Sequence, residues 1–194
     1  MGVIKTALEI ALERTDAVKS DKPGIDQYEV KKRGKKLANA FLDGDADIAS
    51  ELKKTPAQDR EALKQGIFDV LVAQIALPSA GSDGKRMEKL GKGLSAVINS
   101  SEFNEMFKQL TALFAQYQQE TSQCEQMLRQ QYAPKLRQKE EELARRLGRE
   151  VRIDPFQDPE FVNFYNQNMN ALKANYETVV ERAREETKRL YGII

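Results

Sequence analysis

Apolar residues recur through the C-terminal half of the chain in two long series separated by a polar turn. The first is Phe103, Phe107, Leu110, Phe114, Tyr117, Thr121, Cys124 and Leu128; the second is Phe161, Tyr165, Met169, Leu172, Tyr176, Val179 and Ala183. Both step by alternating fours and threes, apart from a doubled four at the start of the second. Such spacing keeps one stripe of a helix turned toward a neighbour, as in a coiled-coil seam. It predicts two long helices folded back on each other as an antiparallel hairpin. The pattern defines architecture and carries almost no chemistry.

The first of these helices is predicted to open at Asn99-Ser100-Ser101 with Glu102 and to run to Leu147. At 1.5 Å per residue that is a rod of roughly 70 Å. Pro134 interrupts it. Ahead of the proline the seam extrapolates to Lys135; beyond it the apolar positions are Leu136, Leu143 and Leu147, a slip of one residue. A kink or short break is expected there. Gly148 ends the helix, residues 149–157 turn, and Asp158-Pro159-Glu160 open the return helix, which reaches about Tyr191 and lies back along residues 115–147. Glu181 with Arg184, and Glu185 with Lys188 or Arg189, support its solvated face.

The N-terminal half reads as a bundle of shorter helices. Residues 2–20 form an amphipathic helix, ended by Lys22-Pro23-Gly24. Asp26 caps a second helix to Asp43, with Val30, Gly34, Leu37, Ala38 and Phe41 on its apolar face. Asp45 or Asp47 caps a short helix through Lys54. Thr55, Pro56 and Gln58 sit at the N-cap, N1 and capping-box positions of a helix reaching about Leu77, whose later half is the most buried of the bundle. After the loop 78–84, a fifth helix places Met87, Leu90, Leu94, Val97 and Ile98 on one face. No strand pattern appears. The predicted fold is all-α: an N-terminal helical bundle over 1–99 and a long hairpin over 100–194, with the first part of the long helix packing on the bundle.

Composition narrows the function. Charged residues make up 31% of the chain with both signs nearly balanced, leaving a net charge of +1 and no global attraction to nucleic acid or an anionic membrane. Histidine is absent, which removes the commonest general base, the commonest metal ligand and the usual partner of a Ser or Cys nucleophile. A single cysteine, Cys124, forms no internal disulfide and suits a reducing compartment. It occupies a seam position, where a thiol behaves as a small hydrophobe. Acids interrupt the apolar residues of the N-terminus, so it reads as a helix start rather than a signal peptide; Met1-Gly2 with Thr6 fits the myristoylation pattern but is better read the same way. No apolar run is long enough to span a membrane. The expected location is the cytoplasm, and the chain has the look of a bacterial protein.

Few residues suggest chemistry. Lys31, Lys32, Lys35 and Lys36 fall on one side of their helix, opposite the apolar face, and form a candidate anion-binding face for phosphates or lipid headgroups. No aromatic residues interleave to stack bases. Asp43, Asp45 and Asp47 resemble the start of a calcium loop, but Ile48 and Lys54 stand where its glycine and glutamate belong, so turn and capping chemistry explain them. Gly84-Lys85 and Gly91-Lys92-Gly93 lack the phosphate-loop spacing; Gly91, like Gly34, reads as a close-packing position. Gln74 falls near the centre of an apolar face and is expected as a buried polar contact, whereas Asp69 projects toward solvent. Nine glutamines between Gln109 and Gln138 form an uncharged outer face.

These features predict a non-enzymatic interaction or scaffold protein, without cofactor or metal, that presents its hairpin to a protein partner or to a second copy. A two-helix stalk supports that reading, because one seam leaves its flanks free and helix pairs often need further helices. The alternative is a nucleic-acid or anionic-surface binder using the basic face, and an enzyme or small-molecule carrier stands third.

Overall fold

The computed structural model describes residues 22–79 and 84–192. The helix read over 2–20 and the N-terminal myristoylation motif lie outside them. Six α-helices follow in order: α1 (Lys22–Asp43), α2 (Ile48–Lys54), α3 (Ala57–Ala73), α4 (Lys85–Ile98), α5 (Ser101–Leu147) and α6 (Pro159–Tyr191), with a 3-10 turn at Pro155–Gln157 before the last. The described residues contain no strand, and the fold is all-α. The described residues divide into two compact units, 22–75 with 84–100, and 76–79 with 101–192.

In the first unit, α1 begins at Lys22, so Pro23 and Gly24 stand in its first turn and Asp26 is not its cap. Proline fits there because the first turn's N–H groups have no helical partner. α1 and α3 cross at Gly34 and Gly66. A Cβ on Gly34 would strike the Leu63 carbonyl, and one on Gly66 the Lys31 carbonyl, so the two backbones lie in direct contact. Leu63, Ile67, Leu71 and Ile75 step by fours along one side of α3 and just past its end. With Ala38, Ile48, Leu90 and Leu94 they form a core in which no member is more than 2% exposed. Gly91 is half-buried. In α4 Gly93 is close-packed, against Leu71, Phe41 and Ile48.

Of the two caps read around the short helix α2, one is as expected and one differs. Asp47 caps α2 by accepting from the Ser50 N–H at 3.1 Å. Thr55 does not cap α3. It ends α2, donating its hydroxyl to the Glu51 carbonyl at 2.8 Å and accepting from Arg33 at 3.1 Å. Pro56 precedes α3, and no side chain bonds that helix's first N–H groups. α3 also stops at Ala73 instead of Leu77.

In the second unit, α5 and α6 pair in antiparallel order. Glu102 meets Arg189 at 3.1 Å, the Tyr117 and Tyr176 rings lie 4.9 Å apart, the Tyr132 and Phe161 rings 5.2 Å apart, and Lys135 meets Glu160 at 3.1 Å. The pairing therefore begins at the first residues of α5, not near 115. α5 is one helix of 47 residues with Pro134 inside it, so no break occurs. Pro134 is exposed, which puts its missing backbone hydrogen bond on the solvent side. The register change comes earlier: Leu128 is followed in the seam by buried Tyr132, four residues on, rather than by residue 131. α6 adjusts likewise. Val180 is buried at 4% while Val179 is 37% exposed, and Thr187 extends the seam with its hydroxyl bonded to the Ala183 carbonyl at 2.6 Å. A straight helix drifts about 20° per heptad against a 3.5-residue repeat, so extra steps of four keep the seam facing its partner.

Candidate functional site

The basic face of α1 keeps three of its four lysines outward. Lys32, Lys35 and Lys36 are exposed, whereas Lys31 is half-buried and bonded to Asp69 of α3 at 2.9 Å. Asp69 is therefore an ion-pair partner rather than a freely solvated acid. An open groove beside this face is lined by Glu29, Val30, Lys32, Arg33 and Lys36. Its one carboxylate and the diversion of Arg33 to Thr55 leave, among the described residues, an ordinary charged helix surface with no convergent anion cradle.

Gln74 is exposed, not buried. It sits just beyond the last residue of α3, where its side chain accepts from Arg86 at 3.1 Å. The buried row Leu63, Ile67 and Leu71 continues to Ile75 rather than to Gln74, so the amide turns away from the core. Among the described residues no group of three or more His, Cys, Asp and Glu could hold a metal ion. Cys124 is half-buried in the α5 seam.

One end of the α5–α6 pair is locked by a polar cluster. Asp158 caps α6, accepting from the Glu160 N–H at 3.0 Å, and is only 5% exposed. The Lys139 ammonium lies 2.6 Å from both Asp158 and Glu160, and the Tyr132 hydroxyl donates to Asp158 at 2.9 Å. Lys139 holds the Asp158 and Glu160 carboxyls below the usual carboxylate range, and in turn its own pKa is raised, chiefly by Asp158. These bonds tie the start of α6 to the far part of α5. Arg129 stacks 4.9 Å over the Phe156 ring beside it.

Between this cluster and Tyr176 the flanks change character. From Phe161 to Leu172 α6 carries no charged residue, and Asn163, Asn166, Gln167 and Asn170 point outward. The stretch of α5 opposite, 121–132, carries only Glu125 and Arg129, which pair with each other at 2.9 Å. All nine glutamines between 109 and 138 are exposed. Met127, 50% exposed, and half-buried Val162 and Phe164 add apolar surface to this belt. Amides donate and accept hydrogen bonds without a charge to desolvate, so such a belt suits contact with another protein surface. The α5 glutamines are legible in the sequence as an outer face. The uncharged run of α6 is as easily read, but it gains meaning only once it is seen to lie across from 121–132.

No curated protein and no solved structure matches the chain. Residues 49–189, which take in most of the first unit's described core and nearly all of the α5–α6 pair, match a family of unknown function (DUF6657), and the chain belongs to that family.

Proposed function

We propose that this chain is a non-enzymatic interaction or scaffold protein that presents the flanks of its long helical hairpin to another protein surface. The observation that carries the reading is the amide-rich belt shared by α5 and α6, whose only charges are the paired Glu125 and Arg129, flanked at one end by an ionic cluster. The absence of histidine and the single half-buried thiol support the non-enzymatic part. The lone thiol also suits a reducing cytoplasm. Affinity capture with the full chain tests the proposal. Replacing Gln119, Gln123, Gln126 and Gln130 together by Lys should abolish capture of a partner or of a second copy, while replacing Lys32, Lys35 and Lys36 by Ala should not. A chain that stays monomeric and captures nothing would sink the reading.

A second reading uses exposed Lys32, Lys35 and Lys36 on one face of α1. It predicts salt-sensitive binding to polyanions that disappears when the three become Glu. No binding at low salt ends it.

A further inference from the structure

Opposite its seam, at about 180° by the helical period, α5 presents a row that includes Lys108, Gln119, Gln123, Gln126, Gln130 and Glu141, all exposed. These six residues form a set that is its own complement when reversed; of the others on the row, Ala112 falls opposite Arg137 and Glu105 opposite Ala144, which sets no like charges together. About a point between residues 124 and 125, Gln123 mirrors Gln126, Gln119 mirrors Gln130, and Lys108 mirrors Glu141. The relation exists because α5 continues through Pro134 as one helix; a break there would put Glu141 out of phase with Lys108. An isologous contact between two copies requires this arrangement, since residue i of one copy meets j of the other while j meets i. A charge near the axis would meet its own like; amides, holding both donor and acceptor, meet themselves without conflict. Opposite charges belong away from the axis of such a row, and Lys108 and Glu141 stand there.

We infer that a second copy of this chain occupies the outer face of α5, antiparallel, with the two-fold axis beside Gln123 and Gln126 and with Lys108 of each copy against Glu141 of the other. The inference rests on the reading of the hairpin flanks as interaction surfaces and names the occupant of one of them. Within one copy Lys108 and Glu141 stand about 50 Å apart along the helix, so no contact inside the chain couples them. Glu141 also meets Arg145 of the same helix, at a long 3.8 Å.

Light scattering and sedimentation of the full chain over a range up to about 100 µM test this. The expected mass is twice 22.0 kDa. Lys108→Glu should weaken the dimer by about tenfold, because each substitution creates two like-charge contacts, and Glu141→Lys should do the same. The combined K108E/E141K chain should recover the parent affinity to within about threefold. Circular dichroism confirms that each variant keeps its helix content. A combined variant no better than the single ones overturns the inferred register. A chain monomeric throughout overturns the self-association. The wider reading then stands or falls separately. It stands if the monomer captures a different protein through Gln119, Gln123, Gln126 and Gln130, and falls if it captures nothing.

Discussion

Lys139 of α5 holds Asp158, the residue that caps α6, with its ammonium 2.6 Å from a carboxylate that is 5% exposed. The contact joins two roles in one side chain. One Asp158 oxygen satisfies the Glu160 N–H at the start of α6, and the other receives Lys139 and Tyr132. The sequence alone identifies the cap, since Asp158-Pro159 is a strong helix start. The ion pair depends on where the tip of α5 lies.

Asp158→Ala should therefore destabilise the second unit by more than a surface cap does. Cap loss alone costs about 1–2 kcal/mol, and Lys139 and Tyr132 also lose their shared acceptor. Asp158→Asn retains a cap oxygen and should fall between the parent and the alanine variant. Urea unfolding followed by circular dichroism ranks the three; equal midpoints for the parent and Asn would deny the ion pair a role, and equal midpoints for Asn and Ala would deny the cap one.

Gly34→Ala and Gly66→Ala should each cost about 3 kcal/mol or more, because the new methyl meets a backbone carbonyl that has no room to move. Gly84→Ala is the control, since nothing lies within 4 Å of its added carbon. Thermal midpoints for the three variants decide the matter, and a tolerated alanine at Gly66 would show that α1 and α3 separate readily.

Stability should be level across neutral pH, because no histidine titrates there. Asp158 and Glu160 are held below the ordinary carboxylate values near 4, so their contribution is complete above that range and drains as pH falls through it. Burial pushes the Tyr176 phenol up to about 12, with Glu120 adding to the shift. Its contribution is complete below the ordinary tyrosine value near 10 and is lost as pH rises toward the folded value. Denaturant midpoints measured from pH 3 to 11 should trace a plateau with both shoulders. Tyr176→Phe should flatten the alkaline one.

Ile75→Ala should cost about 2–5 kcal/mol, the range for emptying a packed core position. Gln74→Ala should change stability by less than about 0.5 kcal/mol, as for an exposed side chain. Reversed magnitudes in chemical denaturation would return Gln74 to the core.

The contrast between Gln74 and Ile75 shows where the sequence is legible. Apolar periodicity identifies α3 and its buried side, but a rotation of one residue depends on where α1 and α4 press. Val179 and Val180 pose the same difficulty, for two adjacent valines are equally apolar and only the facing helix selects one. Thr187 is buried because it returns its hydroxyl to the Ala183 carbonyl, which removes the polarity that marks it as an outer residue. Helix starts set by Asp47 and Asp158 are readable because side-chain chemistry within three residues decides them. Thr55 misleads because a cap for one helix and an end for another use the same residue. The outward glutamines of α5 are plain in the sequence, but their mirror relation is not, since Pro134 predicts an interruption that the helix does not make.

The uninterrupted course of α5 makes it a ruler. Its 47 residues set the span between Ser101 and Leu147 at about 70 Å through backbone hydrogen bonds alone. A domain tethered at one end and a ligand held at the other would keep a defined separation without any linker between them. In the inferred dimer two such rulers would lie antiparallel and have no front or back. Each end of that pair would carry the start of one helix and the tip of the other, so whatever docked at one end would have an equivalent seat at the opposite end.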